Sequence, residues 1–297
     1  MSPVRTPTNK TRNRTVFISD QVKPIELEYS DNGTYFGDTV LRRYDDYKIS
    51  LVLTDDCGAV IGSRVIYPKR GDMIIFRPNE VHFGRFPRLS EYCFISFLFP
   101  TDLFDHVCCP SKPILAPFLD DSEQRVNLIR LSGEDKAKLI GIAEELLLMM
   151  KEDSDKEYFD AVAFAKLIEA LTVCSKCYPQ QKLLGDAQLP HPVVAKALRR
   201  IDEDFPDFIG LSDLAVHCGC SETYLTQIFR SYTGKTIYGY LTESRLEHAR
   251  VLLKKGVSVT EAACQSGFYD TSRFITQFRK RFGITPGKYR KALPEVK

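Results

Sequence analysis

Two hydrophobic rhythms divide this 297-residue chain. Between about Thr15 and Pro110, apolar residues come in short runs broken by turn residues: Lys48–Leu53, a turn at 55–58, then Met73–Phe76 and Tyr92–Phe99. Helical spacing is nearly absent there. Closely spaced strands with Gly, Pro and Asn between them predict a β-sandwich or small barrel. From Gly133 the period changes. Leu139, Ile142, Leu146 and Met149/Met150 make one stripe, and Phe159, Val162, Ala163, Lys166/Leu167 and Leu171 a second. These predict two amphipathic helices joined by an acidic turn at 151–156. The segment 178–192, with three prolines, reads as a linker, and a helix follows from Val193 with Pro192 in its first turn. The first fourteen residues carry Arg5, Lys10, Arg12 and Arg14 and no acid, which predicts a polar tail rather than a signal peptide. No apolar run is long enough to span a bilayer.

The C-terminal part contains an internal repeat. Leu214-Ala215, Gly219, Leu225, Phe229-Arg230 and Gly234 recur 48 or 49 residues later as Ala262-Ala263, Gly267, Phe274, Phe278-Arg279 and Gly283. Each copy has the layout of a helix, a glycine turn and a second helix. In the first, Ser212 and Ser221 are the expected caps; in the second, Ser258 with Glu261 and then Asp270. Thr236 to Lys254 between them reads as one long helix with Ile237, Leu241, Leu246, Ala249 and Leu253 on its apolar stripe. Such a frame would present two second helices to successive major grooves, roughly 34 Å apart.

The run Gly267-Phe268-Tyr269-Asp270, Ser272, Phe274, Phe278-Arg279, Gly283, Thr285-Pro286, Tyr289-Arg290 resembles the signature of the AraC/XylS family of transcription regulators. The first copy is similar through Leu214-Ala215, Gly219, Ser221, Tyr224-Leu225 and Phe229-Arg230. Two departures stand out: Ala262 replaces the family's branched aliphatic, and Gln227 replaces a basic residue. Carried over by position, the resemblance implies base contacts from Thr223, Thr226 and Gln227 in the first unit and from Thr271, Ser272, Arg273 and Thr276 in the second. Arg273 has the chemistry to pair with guanine and Gln227 with adenine. Phosphate contacts would come from Arg230, Lys235, Arg279, Lys280, Arg281 and Arg290, which set position without reading sequence.

In the N-terminal half, Gly71–His82 resembles the second motif of cupin-like effector domains that precede AraC-type DNA-binding units. With it come the expectations of a small-molecule effector such as a sugar, bound by Arg43, Tyr44, Tyr47 and His82, and of a homodimer through the helices in 133–178. The remaining expected partners are promoter or operator DNA and RNA polymerase. A metal-dependent cupin enzyme is the rival, but this half holds only His82 and His106, too few for a three-histidine site. The nine cysteines show one lone CxxC at Cys174/Cys177 and no spaced second pair, so reduced thiols in a cytoplasmic, nucleoid-associated protein are expected, with no cofactor.

Charge changes this picture little. From His191 onward 17 Lys and Arg stand against 11 Asp and Glu, while the preceding residues carry 24 and 28, so the half expected to meet DNA is the basic one. The fold expected is α+β and multidomain. It comprises a cupin-like β-barrel with two following helices over 15–180 and an all-α domain with two helix-turn-helix units joined by a long helix over 190–293.

Overall fold

A computed structural model describes residues 10–292 apart from 20–21, 35–40, 56, 86–90, 107–110, 123, 152–157, 185–190 and 208–209. The N-terminal half is built from strands β1 (Lys10–Val16), β2 (Ile25–Thr34), β3 (Tyr47–Val52), β4 (Gly58–Ile61), β5 (Arg64–Ile66), β6 (Met73–Phe76), β7 (His82–Arg85), β8 (Glu91–Phe99) and β9 (Leu128–Ile129). Helices α1 (Ser111–Leu119), α2 (Gly133–Lys151) and α3 (Phe159–Leu184) accompany them.

The strands form two stacked sheets, not the closed barrel expected from the cupin-like motif. One has six strands in the order β1-β2-β8-β3-β6-β9, the other three in the order β5-β4-β7. The alternation of strand residues explains the layering. On one face of the large sheet Leu27, Tyr47, Ile49, Leu51, Met73, Ile75, Phe97 and Phe99 pack with α2 and α3 residues such as Leu139, Leu146, Phe159 and Leu167. On the other face Val52, Ile74, Phe76 and Leu128 pack against Ala59, Ile61 and Ile66 of the small sheet. Strands β4 and β6 are buried on both faces, so they read as continuous apolar runs.

Two other expectations are corrected. The polar tail begins to pair at Lys10: β1 runs antiparallel to β2 from Lys10↔Asp31 to Val16↔Ile25. A backbone ladder needs no apolar side chains, and the Arg14 guanidinium sits 3.8 Å over the Phe159 ring. The predicted linker also starts too early, because α3 continues through Pro179 to Leu184. Tertiary contacts hold that last stretch: the Tyr178 hydroxyl and Lys182 donate to Asp120 at 2.6 and 2.7 Å, and Gln181 accepts the Arg130 amide at 3.0 Å. The acidic turn joining α2 and α3 lies largely outside the described residues.

The C-terminal domain contains α4 (Pro192–Asp204), α5 (Leu211–Cys218), α6 (Glu222–Thr233), α7 (Ile237–Lys254), α8 (Val259–Gln265), α9 (Thr271–Phe282) and α10 (Pro286–Lys291). Its first unit packs Leu214, Leu225 and Phe229 on Ile237, Tyr240 and Leu241 from the first half of α7. The second packs Ala262, Ala263, Phe274 and Phe278 on Leu246, Ala249 and Leu253 from the second half. One helix therefore serves as the wall of both units, as its apolar stripe predicts.

Candidate nucleic-acid interface and effector cavity

The two helix-turn-helix units are set by short-range chemistry. Ser221 accepts the Tyr224 amide at the start of α6, and Asp270 accepts the Ser272 and Arg273 amides at the start of α9. Ser258 caps α8, whereas α5 starts at Leu211 after Gly210, so Ser212 lies inside that helix and is not its cap. Gly219 and Gly267 make the turns at φ 70° and 79°, in the left-handed region that side chains resist. At Gly267 space forbids a side chain as well, since a Cβ would stand 2.4 Å from the Pro206 carbonyl oxygen.

These turns aim the outer faces of α6 and α9 at solvent. Thr223, Gln227 and Arg230 are exposed on α6, with Thr226 half-buried. Ser272, Arg273, Thr276, Arg279 and Lys280 are exposed on α9, with Thr271 half-buried; Arg290 is exposed on α10. Thr276 donates its hydroxyl to the Ser272 carbonyl at 3.0 Å, so that hydroxyl is already engaged within α9. Lys288 and Lys291 on α10 add exposed positive charge beside Arg290 and were missed by carrying over motif positions alone; the basic spacing of α10 was the available signal.

Lys235 and Arg281 are placed differently. Lys235 donates to Glu243 at 2.8 Å and lies 5.5 Å from the Phe83 ring of the N-terminal half. Arg281 donates to the Leu41 carbonyl at 2.9 Å and to buried Glu247 at 3.1 Å. Glu247 also accepts from Arg250 at 2.8 Å. These two cations are held at the contact between the halves, while their neighbours Arg279 and Lys280 face solvent.

A helix-turn-helix domain family matches residues 214–292, over the span where the caps, turns and exposed faces have just been described. The C-terminal domain is an AraC-type DNA-binding domain. PocR, a regulatory protein of Salmonella typhimurium, is 30% identical over 192 residues, covering 60% of this chain and 62% of that one. The activator RhaR of Salmonella heidelberg is 42% identical over 72 residues, covering 24% and 26%. A crystal structure of a Chromobacterium violaceum regulator with an AraC-type DNA-binding domain is 26% identical, covering 36% of this chain and 96% of that one, with a TM-score of 0.33. The chain spans less than two thirds of the length of the first curated relatives it matches. In the AraC-type domain the first copy's Leu214-Ala215 and the second's Ala262-Ala263 occupy equivalent buried positions, so the small Ala262 is accommodated without a change of layout.

Of the four residues expected to hold an effector, the structure brings Tyr44 and His82 together, with ring centroids 5.4 Å apart. Tyr47 instead points into the core between Phe99 and Phe118. Arg43 points the other way, toward Asp202 at 4.0 Å and the Phe205 ring at 5.1 Å. A cavity of about 100 Å³ opens beside Tyr44, lined also by Asn13, Glu28, Arg42, Lys48 and Ser96. Arg42, Lys48 and Glu28 were not singled out by sequence; alternation along β2 and β3 could have shown Glu28 and Lys48, whereas Arg42 stands outside the strands and is placed by its bridge to His82.

His82 is buried, its Nδ1 3.1 Å from the Glu80 carbonyl and its Nε2 without a partner among the described residues. Burial first, then the nearby Lys48 charge, pushes its pKa down to about 3. The unfolded chain takes up this proton below about 6.5, so stability is full above that pH and is lost as pH falls toward 3. His82→Gln should therefore flatten the pH dependence of urea unfolding between pH 6.5 and 5 by up to about 1.4 kcal/mol per pH unit. An unchanged slope would show that His82 is not the buried neutral group.

Proposed function

We propose that the protein is a sequence-specific transcription regulator whose AraC-type domain binds operator DNA through α6 and α9 under the control of a small polar effector. One observation carries this reading: two helices with exposed Arg, Gln, Ser and Thr faces are fixed on the shared helix α7. Arg273 would pair with guanine and Gln227 with adenine, while Arg230, Arg279, Lys280, Lys288 and Arg290 would neutralise phosphates. The polar cavity at Arg42, Tyr44 and Lys48, with His82 behind Tyr44, is the proposed effector site; its mixed charge suits a small polar metabolite, a sugar included. Exposed Leu148 and Tyr158 near the ends of α2 and α3 favour a homodimer through that face, which doubles the footprint on DNA. Contact with RNA polymerase and a cytoplasmic, nucleoid-associated location follow from this role. Among the described residues no helix is long and apolar enough to cross a membrane.

Selection of duplexes from a random pool, followed by a salt series, tests the DNA reading. Affinity should fall steeply with salt, and a 297-residue chain that retains no duplex at low salt refutes it. On a selected duplex, Arg273→Ala should cost 10- to 100-fold, about 1–3 kcal/mol, and relax the base preference beneath α9. Gln227→Ala should cost less. Equal or reversed losses, read by fluorescence anisotropy on point-substituted duplexes, would place the stronger reader in α6 instead.

A further inference from the structure

The segment 41–44 has two faces with different neighbours. Its backbone is extended and bridges to β7, where the amides of Arg42 and His82 each donate to the other's carbonyl at 2.8 and 3.0 Å. Alternation then sends Arg42 and Tyr44 into the effector cavity and Leu41 and Arg43 to the opposite side. On that side three helices of the DNA-binding domain grip it. Glu243 of α7 accepts the Leu41 amide at 3.1 Å, and Arg250 of α7 donates to the Arg43 carbonyl at 2.8 Å. Arg281 of α9 donates to the Leu41 carbonyl, and Asp202 of α4 pairs with the Arg43 guanidinium. The Arg250 guanidinium also lies 5.9 Å from the Tyr44 ring, so it reaches the cavity side as well.

We propose that residues 41–44 are a two-sided strap that couples the effector cavity to the DNA-binding domain and, in the state seen here, withholds Lys235 and Arg281 from DNA. The inference rests on the regulator reading above and adds its regulation. Directional bonds to backbone atoms make the strap sensitive to small displacements, because hydrogen bonds weaken steeply off their preferred geometry. A ligand that draws Arg42 or Tyr44 toward it moves the same peptide groups that hold Arg281 and Glu243. Glu243 accepts the Leu41 amide through one oxygen and Lys235 through the other, and Lys235 lies over Phe83 of β7, so both cations sit against the part of the N-terminal half that the strap joins. The grip is backed by an apolar contact in which Val60, Val65 and Phe83 of the small sheet cluster with Tyr240 and Leu241 of α7.

The test uses the 297-residue chain with two substitutions on the N-terminal side of the contact, Arg43→Ala and Phe83→Ala. Neither residue belongs to the DNA-reading faces. On duplexes selected by the wild-type chain, each variant should bind roughly tenfold tighter, within the usual range of couplings between sites. The slope of log affinity against log salt should also steepen by about 2, since each additional phosphate contact contributes roughly 0.9. Variants that fold by circular dichroism yet keep the wild-type affinity and slope overturn the strap. Hydrogen exchange on the wild-type chain supplies a readout independent of the variants: duplex should speed exchange at the Leu41 amide, and unchanged protection in the bound state overturns the proposal. Binding of no duplex by the wild type or either variant would overturn the regulator reading itself, a result distinct from normal binding with an unaltered slope.

Discussion

Glu247→Ala should destabilise the protein by about 3–5 kcal/mol, because it leaves two guanidinium groups facing an emptied, buried position. The Glu247 side chain is only 3% exposed and holds Arg250 through one oxygen and Arg281 through the other. Its loss removes both charge-assisted bonds at once and frees helix α9 from α7 at their polar contact. Glu247→Gln keeps the shape and one acceptor oxygen, so it should cost distinctly less. Urea unfolding of the two variants at pH 7 measures the difference. Equal costs would mean that the carboxylate charge, which both variants lose, and not the shape of the side chain accounts for the position.

Gly267→Ala comes next, at about 2–4 kcal/mol. About 1–2 of this comes from forcing a side chain into the left-handed conformation and the rest from overpacking. The added Cβ would overlap the Pro206 carbonyl at 2.4 Å and the Pro206 Cα at 2.8 Å, and backbone cannot swing aside as a side chain can. Gly219 offers the contrast: it also has positive φ, but a Cβ added there would meet nothing within 4 Å. Gly219→Ala should therefore cost only the conformational part, and thermal melts of the pair separate the two contributions. The segment after α4 at Pro206 and the turn of the second unit are thus tied together, and Gly267→Ala should weaken DNA binding as well as stability.

The C-terminal domain was legible because its signals are local. Caps such as Ser221 and Asp270, glycine turns and buried phenylalanines at 229, 274 and 278 act within a few residues of themselves, and they appear where the repeat put them. The N-terminal half was legible as strands but not as a shape. Whether strands close into a barrel or stack as two sheets depends on pairing across long sequence distances, as between β2 and β8, which no local pattern records. The same reason hid β1, whose polar residues are held by backbone bonds, and the last turn of α3, which is held past Pro179 by Asp120 and Arg130. At the cavity, the cupin-like resemblance drew attention to Arg43 and Tyr47, but the backbone sends those two side chains elsewhere. Lys235 and Arg281 show the limit of motif carry-over, since a position in a motif does not say what the rest of the chain does with the side chain.

Helix α7 is 18 residues long, roughly 27 Å at 1.5 Å per residue, and its two halves are the walls of two separate cores. On the proposed DNA reading, a shared wall turns α6 and α9 into a ruler. One base pair inserted between the two half-sites would rotate the second by about a tenth of a turn and carry it out of reach, although every contacted base is unchanged. The distance between half-sites thus becomes part of the message read, encoded by no base-contacting residue but by the apolar stripe from Ile237 to Leu253.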